Sequence, residues 1–168
     1  MNKIIVTGGS GFIGSNLVNF LVKKNFFVIN LDKLTYSSNK YKSTLLNSKN
    51  YKLIKVDIAN KKKMIQIIKK FKPKVIFNLA AETHVDRSID GPAKFIHTNI
   101  IGTFNLLESL RFLQKKKIVP KLVHVSTDEV YGDISKGLRS KENHKYTPSS
   151  PYSASKASAD HLVKSYIR

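Results

Sequence analysis

At 168 residues and 19.0 kDa the chain is long enough for one well-packed domain and short for two, so a single domain over residues 1–168 is expected. With 41% hydrophobic and 24% charged residues it falls among globular proteins, and the absence of cysteine excludes disulfide scaffolds, thiolate metal sites and cysteine nucleophiles. The net charge of +19 raises the question of a nucleic-acid partner, but only Arg87, Arg111, Arg139 and Arg168 carry the guanidinium fork such recognition favours, and the dispersed lysines read as a solvated surface with no nucleic-acid partner.

Met1-Asn2-Lys3 leads directly into the apolar run Lys3 to Thr7, a strand rather than a signal peptide. Gly11 to Lys24 carries Phe12, Ile13, Leu17, Phe20 and Leu21 at helical spacing. Phe26 to Leu31 predicts a second strand and, after a polar connection over Tyr36 to Asn50, Tyr51 to Val56 predicts a third. Lys61 to Phe71 predicts a helix, Val75 to Ala80 a fourth strand, Ala93 to Gln114 one long helix and Lys121 to Ser126 a fifth strand. Gly132 to Ser150 reads as a polar loop. Pro151 to Arg168 reads as a last helix, with Pro in its first turn and Ala154, Ala157, His161, Leu162 and Tyr166 on its apolar positions. Lys23-Lys24, Lys69-Lys70 and Lys115 to Lys117 fall where helices end and suit the negative pole of the helix dipole.

No apolar run nears the roughly 20 residues that cross a bilayer, so no membrane partner and a cytoplasmic location are expected. Strands alternating with helices imply parallel pairing through right-handed crossovers, hence an α/β, Rossmann-type doubly wound sheet. The chain stops at a helix, where such a sheet would lay down its next strand; truncation before the last strands and a substrate domain is therefore expected.

Gly8, Gly11 and Gly14 form a GxxGxxG turn between the first strand and the first helix. The first glycine allows the tight turn, the second lets backbone amides approach a pyrophosphate, and the third lets helix and strand pack closely, with the phosphate at the helix N-terminus. Asp32 ends the second strand 18 residues after Gly14, about where an acid would hold the adenosine ribose 2′-hydroxyl. That acid favours NAD over NADP, although Lys33 beside it would tolerate a 2′-phosphate. The alternative is that the glycines make only a tight turn and Asp32 caps a loop. Asp57-Ile58, after the third strand, lies along the carboxyl edge of the sheet, where adenine would rest.

Tyr152 and Lys156 are four residues apart and share one helix face. A neighbouring ammonium lowers the pKa of a phenol, so Tyr152 is expected to act as a base toward a hydroxyl group whose hydride leaves to a nicotinamide. Between the fifth strand and this helix stand Thr127, Asp128 and Glu129. Two adjacent carboxyl groups push their pKa values apart, the arrangement wanted when one donates a proton and the other accepts one; a solvated acidic turn is the alternative.

These residues carry a resemblance. The runs Thr7-Gly8-Gly9-Ser10-Gly11-Phe12-Ile13-Gly14, Leu31-Asp32-Lys33-Leu34-Thr35-Tyr36, Asn78-Leu79-Ala80-Ala81-Glu82-Thr83-His84-Val85-Asp86-Arg87-Ser88, Val125-Ser126-Thr127-Asp128-Glu129-Val130-Tyr131-Gly132 and Ser150-Pro151-Tyr152-Ser153-Ala154-Ser155-Lys156-Ala157 resemble the dTDP-glucose 4,6-dehydratases, which are extended short-chain dehydrogenase/reductases. The Thr-Asp-Glu triplet is the most discriminating part.

The resemblance implies a redox-neutral hydro-lyase that converts dTDP-glucose to dTDP-4-keto-6-deoxyglucose with bound NAD+. It gives Tyr152 the 4-hydroxyl proton, Glu129 the C5 proton, Asp128 protonation of the leaving 6-hydroxyl, Thr127 a hydrogen bond to the sugar 4-oxygen, and Lys156 the nicotinamide ribose. It also places Gly8, Gly11, Phe12, Ile13, Gly14, Asp32, Lys33, Leu34, Thr35, Asp57, Ile58, Leu79, Ala80, Ala81 and Thr98 around NAD, with Tyr152 and Lys156. Thr83 takes a substrate position where the family usually has Ser, keeping the hydroxyl. No metal is implied, and the full-length protein would be a homodimer.

Family members continue for roughly another domain beyond this helix. The 168-residue chain by itself is therefore expected to bind NAD weakly and to turn over little or no sugar nucleotide. A UDP-glucose 4,6-dehydratase, a 4-epimerase and an inactive NAD-binding fragment are the alternatives; Asp128-Glu129 argues against the epimerase, which needs no acid/base pair for elimination.

Overall fold

The computed structural model describes residues 2–38, 48–135 and 137–167. Part of the polar connection expected over 36–50, and the helix end expected at Arg168, lie outside the described residues. Five parallel strands, β1 (Lys3–Thr7), β2 (Phe27–Asp32), β3 (Tyr51–Lys55), β4 (Val75–Asn78) and β5 (Lys121–His124), form a sheet in the order β3-β2-β1-β4-β5. The helices are α1 (Phe12–Lys23), α2 (Lys61–Phe71), α3 (Val85–Asp90), α4 (Ala93–Phe95), α5 (Gly102–Gln114) and α6 (Pro151–Ser165). A π-helical turn, Ile96–Ile101, joins α4 to α5, and a 3-10 turn, Asp128–Tyr131, follows β5. The chain falls into two compact units, Met1–Ala80 with Asn105–Val125 and Ala81–Phe104 with Ser126–Arg168.

The first unit holds the sheet. Period-2 alternation gives each sheet face its own apolar cluster. Ile5, Ile29, Leu31 and Ile76 pack with Met64 and Ile68 of α2 and with Leu106 and Leu113 of α5, whereas Ile4, Val6 and Val28 pack with Val18 and Leu21 of α1. Helices thus cover both faces of a parallel sheet, the Rossmann-type doubly wound class that the strand-helix alternation predicts. Each such fully buried Ile or Leu contributes about 1.5–3 kcal/mol.

Local geometry moves some boundaries. Asn25 takes a left-handed φ of 62°, and the Phe26 N–H turns back to the Leu21 carbonyl at 3.1 Å, so Phe26 closes α1 and β2 starts at Phe27 rather than Phe26. Strand β4 ends at Asn78 rather than Ala80, and β5 at His124 rather than Ser126.

The second unit is helical and departs further from the sequence expectation. The long helix expected over 93–114 is interrupted by the π-helical turn, whose buried residue, Asn99, accepts the Glu82 N–H at 2.9 Å and donates to the Glu82 carbonyl at 3.0 Å and the Ser155 hydroxyl at 2.9 Å. The short helix α3 is not predicted at all. On α6 the inward face is more polar than expected: Tyr152, Ser155, Lys156, Ala159 and Asp160 are buried together with the expected Ala157, while Ala154 and His161 are exposed and Leu162, with Tyr166 at the C-cap, half-buried. Phe95 sets its ring edge-on against Tyr152, 6.3 Å between centroids.

Candidate active site

The expected cofactor residues of the first unit collect at the carboxyl ends of β1, β2, β3 and β4, on both sides of the point where strand order reverses between β1 and β4. Gly8 leaves β1 with φ +68°, and a Cβ there would stand 2.7 Å from the Ala80 backbone nitrogen; at Gly14 a Cβ would overlap the Gly8 carbonyl oxygen. The turn is therefore closed against the end of β4 and against α1. At Gly11 a Cβ would meet only the Gly8 carbonyl oxygen, at 3.3 Å. Gly11 caps α1 with no side-chain hydrogen bond, which leaves the first amides and the positive pole of the helix without a side-chain partner. Beside them Phe12 and Ile13 are 82% and 63% exposed.

Asp32, the last residue of β2, is buried and works as a hub. Its Oδ2 accepts the Ser10 N–H at 2.8 Å from the glycine turn, while Oδ1 accepts the Leu34 N–H at 2.7 Å and the Ser38 hydroxyl at 3.3 Å. Leu34 is held by this bond in the left-handed region, φ 59°, which bulky residues seldom adopt. Lys33 is paired with Asp57, Nζ to Oδ2 2.9 Å, so its cation is already matched by a carboxylate. Thr35 lies in the same loop and Leu79 and Ala80 follow β4, the Ala80 N–H donating to the Thr7 hydroxyl at 3.2 Å. Ile58 differs: its side chain is 3% exposed within the core, which leaves only its backbone for a ligand.

The second unit brings together Thr127, Asp128, Glu129, Tyr152 and Lys156; Ala81, Thr83 and Thr98 also belong to it. Ser150 and Pro151 set the register of the catalytic helix. Ser150 Oγ accepts the Ser153 N–H at 3.1 Å, Ser153 Oγ accepts the Ser150 N–H at 3.0 Å, and Pro151 opens the first turn. This cap puts Tyr152 and Lys156 on the inward face, 7% and 5% exposed. Thr127 caps the 3-10 turn, its Oγ1 accepting the Glu129 N–H at 3.3 Å, and Asp128 and Glu129 are exposed.

The protonation of Tyr152 departs from the sequence expectation that Lys156 lowers its pKa. Burial pushes the phenol up; a hydrogen bond with Thr127 pulls it down, and the charges of Glu129 and Asp128 raise it again. Desolvation and two nearby carboxylates thus outweigh the favourable hydrogen bond, so folding raises this pKa where the lysine alone would lower it. Lys156 is shifted down by burial, and Asp160 partly restores it.

Several supporting residues are not picked out by sequence patterns: Ser88, Asn99 and Asp160. Ser88 is fully buried, donates to the Val85 carbonyl at 2.6 Å and accepts the Tyr152 N–H at 3.1 Å, so it anchors the start of α6. The only signal for it in the sequence is that it closes the Asn78–Ser88 run. Removing its hydroxyl leaves a buried amide without a partner; Ser88→Ala should cost about 1–3 kcal/mol, read as a lowered midpoint in urea unfolding, and an unchanged midpoint would contradict this role.

A family model described as GDP-mannose 4,6 dehydratase matches residues 5–168. The dTDP-glucose 4,6-dehydratase of Haemophilus influenzae is 46% identical over 176 residues, covering 100% of this chain and 52% of that protein. The crystal structure of dTDP-glucose 4,6-dehydratase from Bacillus anthracis in complex with NAD superposes with a TM-score of 0.84 at 42% identity, over 99% of this chain and 50% of that one. DesIV, a dTDP-glucose 4,6-dehydratase from Streptomyces venezuelae solved with NAD bound, gives a TM-score of 0.88 at 37% identity, over 98% of this chain and 51% of that one. The chain spans about half the length of the curated relatives it matches.

Proposed function

The chain belongs to the GDP-mannose 4,6 dehydratase family, and on that premise we propose that the protein carrying it is an NAD-dependent dTDP-glucose 4,6-dehydratase. One observation carries the reading. The phenol of Tyr152 stands close enough to Thr127, Glu129 and Asp128 for all three to act on its proton, so a hydroxyl-directed base and an acid/base pair share one small volume. The substrate is the one after which relatives at 44–46% identity are named.

The first unit fits NAD. The turn at Gly8 and Gly14 has no room for side chains, a Cβ at Gly11 would press on the Gly8 carbonyl oxygen, the first amides of α1 have no side-chain partner, and Asp32 ends β2 as a carboxylate suited to a ribose hydroxyl. Phe12, Ile13, Lys33, Leu34, Thr35, Asp57, the Ile58 backbone, Leu79 and Ala80 complete the NAD residues proposed for this unit; for the second unit the resemblance proposes Ala81, Thr98 and Lys156, the last on the nicotinamide ribose. NAD held there would supply the hydride acceptor for oxidation at sugar C4 and the hydride donor for reduction at C6.

The proton chemistry belongs to the second unit. Tyr152, as its phenolate, takes the 4-hydroxyl proton, with Thr127 hydrogen-bonded to the same sugar oxygen. The resulting 4-ketone makes the C5 proton acidic. Glu129 removes that proton while Asp128 protonates the C6 oxygen, which leaves as water, and a proton then returns to C5. Thr83 is proposed to contact the sugar. The whole protein acts as a cytoplasmic homodimer in this reading, its association state measurable by analytical ultracentrifugation.

The whole protein that carries this chain, purified and incubated with dTDP-glucose in deuterated water, should release a 4-keto-6-deoxy sugar carrying deuterium at C5, detected by NMR and mass spectrometry. Glu129→Gln should slow this by about 10²–10⁴-fold. Absence of a 4-keto product from the wild-type protein, or full activity in Glu129→Gln, would overturn the assignment.

A further inference from the structure

Asp160 lies one turn beyond Lys156, so Tyr152, Lys156 and Asp160 form one stripe along α6. An aspartate 6% exposed needs partners, and this one is placed among residues that matter. Its Oδ2 accepts the Ser126 hydroxyl at 2.5 Å and the Tyr146 hydroxyl at 3.1 Å. Ser126 is the residue before Thr127. Tyr146 sets its ring edge-on against Tyr131, 5.3 Å between centroids, and Tyr131 is the last residue of the 3-10 turn that carries Asp128 and Glu129. One carboxylate therefore reaches both ends of the segment from Thr127 to Tyr131, and its charge also supports the ammonium of Lys156.

We propose that Asp160 is a positioning residue for the reaction: through Ser126 and Tyr146 it fixes the segment bearing Thr127, Asp128 and Glu129 relative to Tyr152, and it holds the Lys156 ammonium in place. The inference rests on the dehydratase reading for what these groups do, and on geometry for how they are held. The charged and titratable groups around this carboxylate are Lys156 on its own helix, Tyr146 from the loop, Lys164 with Nζ 3.4 Å from the Tyr146 hydroxyl, and His161 with its ring 5.3 Å from that of Tyr146. A purely structural acid would serve through its hydrogen bonds, which an asparagine largely keeps. A positioning charge would not be replaced.

Asp160→Asn is the first test, made on the NAD-loaded protein. The expected result is a loss of at least tenfold in kcat with KM for dTDP-glucose within twofold of wild type. NMR titration of the Lys156 side chain should show the ammonium deprotonating at lower pH than in wild type, and Asp160→Glu should restore it. Unchanged kcat and an unchanged Lys156 titration overturn the proposal.

If Asp160→Asn does not fold, Ser126→Ala and Tyr146→Phe decide. Each removes one hydroxyl from the carboxylate, and each should lower kcat about fivefold at unchanged KM; wild-type kcat in both overturns the proposal. If the whole wild-type protein that carries this chain turns over no sugar nucleotide, the dehydratase reading falls. The Lys156 titration still answers for Asp160: a shift in the asparagine variant supports it, and none refutes it.

Discussion

Gly8→Ala should unfold well below the wild-type protein and lose the stabilisation that NAD confers. Two effects add. An L-residue held at the φ of +68° found here is strained by about 1–2 kcal/mol. The new Cβ would stand 2.7 Å from the Ala80 nitrogen and 2.9 Å from the Leu79 carbonyl carbon, both backbone atoms that move only with β4, and overpacking of this kind costs about 1–3 kcal/mol more. At 2–4 °C per kcal/mol for a chain of this size, the melting temperature should fall by roughly 10 °C. The turn also carries Ser10, whose N–H holds the Asp32 carboxylate at 2.8 Å, so the displaced loop takes the proposed ribose acceptor with it. Thermal unfolding with and without NAD measures both effects, since a ligand stabilises the folded state in proportion to its occupancy. A variant melting within 2 °C of wild type, with an undiminished rise on adding NAD, would show that the cradle is dispensable.

Tyr152→Phe should abolish turnover and leave the fold intact. The ring that packs edge-on against Phe95 is retained and only the hydroxyl is lost, so kcat should fall by about 10²–10⁴-fold while NAD still raises the melting temperature. Turnover within fivefold of wild type would remove Tyr152 from the mechanism.

The same variant has a signature in alkali. Burial raises the Tyr152 pKa above its value of 10.0 in the unfolded chain, so the native state binds this proton more tightly. The stability it contributes is complete below about pH 10 and is lost as the pH climbs from there toward the raised value. Wild type should therefore lose stability over that range relative to Tyr152→Phe. Lys156 works in the opposite sense, because its lowered pKa means the unfolded chain binds more protons between that value and 10.5; it is common to both proteins, so the comparison isolates Tyr152. Parallel denaturation curves for the two proteins between pH 9 and the alkaline limit would contradict this account.

The amino-acid sequence by itself determined the sheet class, the glycine turn, Asp32 at the end of β2 and the helix beginning at Pro151. Each of these is local: a strand, a cap or a turn is decided by residues within a few positions, as Ser150, Pro151 and Ser153 decide the start of α6. Tertiary structure decided the rest. The π-helical turn exists because Asn99 reaches Glu82 and Ser155, which stand 17 and 56 residues away. The inward face of α6 takes Asp160 and Lys156 beside Ala157 because Ser126 and other distant groups supply polar partners there, so apolar periodicity located only part of that face. The burial of the Ile58 side chain in the core carries no local mark in the sequence. The pKa of Tyr152 reversed its expected direction for the same reason: a neighbouring lysine can be counted along the chain, whereas desolvation and the field of Glu129 and Asp128 exist only after folding has removed water and brought those charges near.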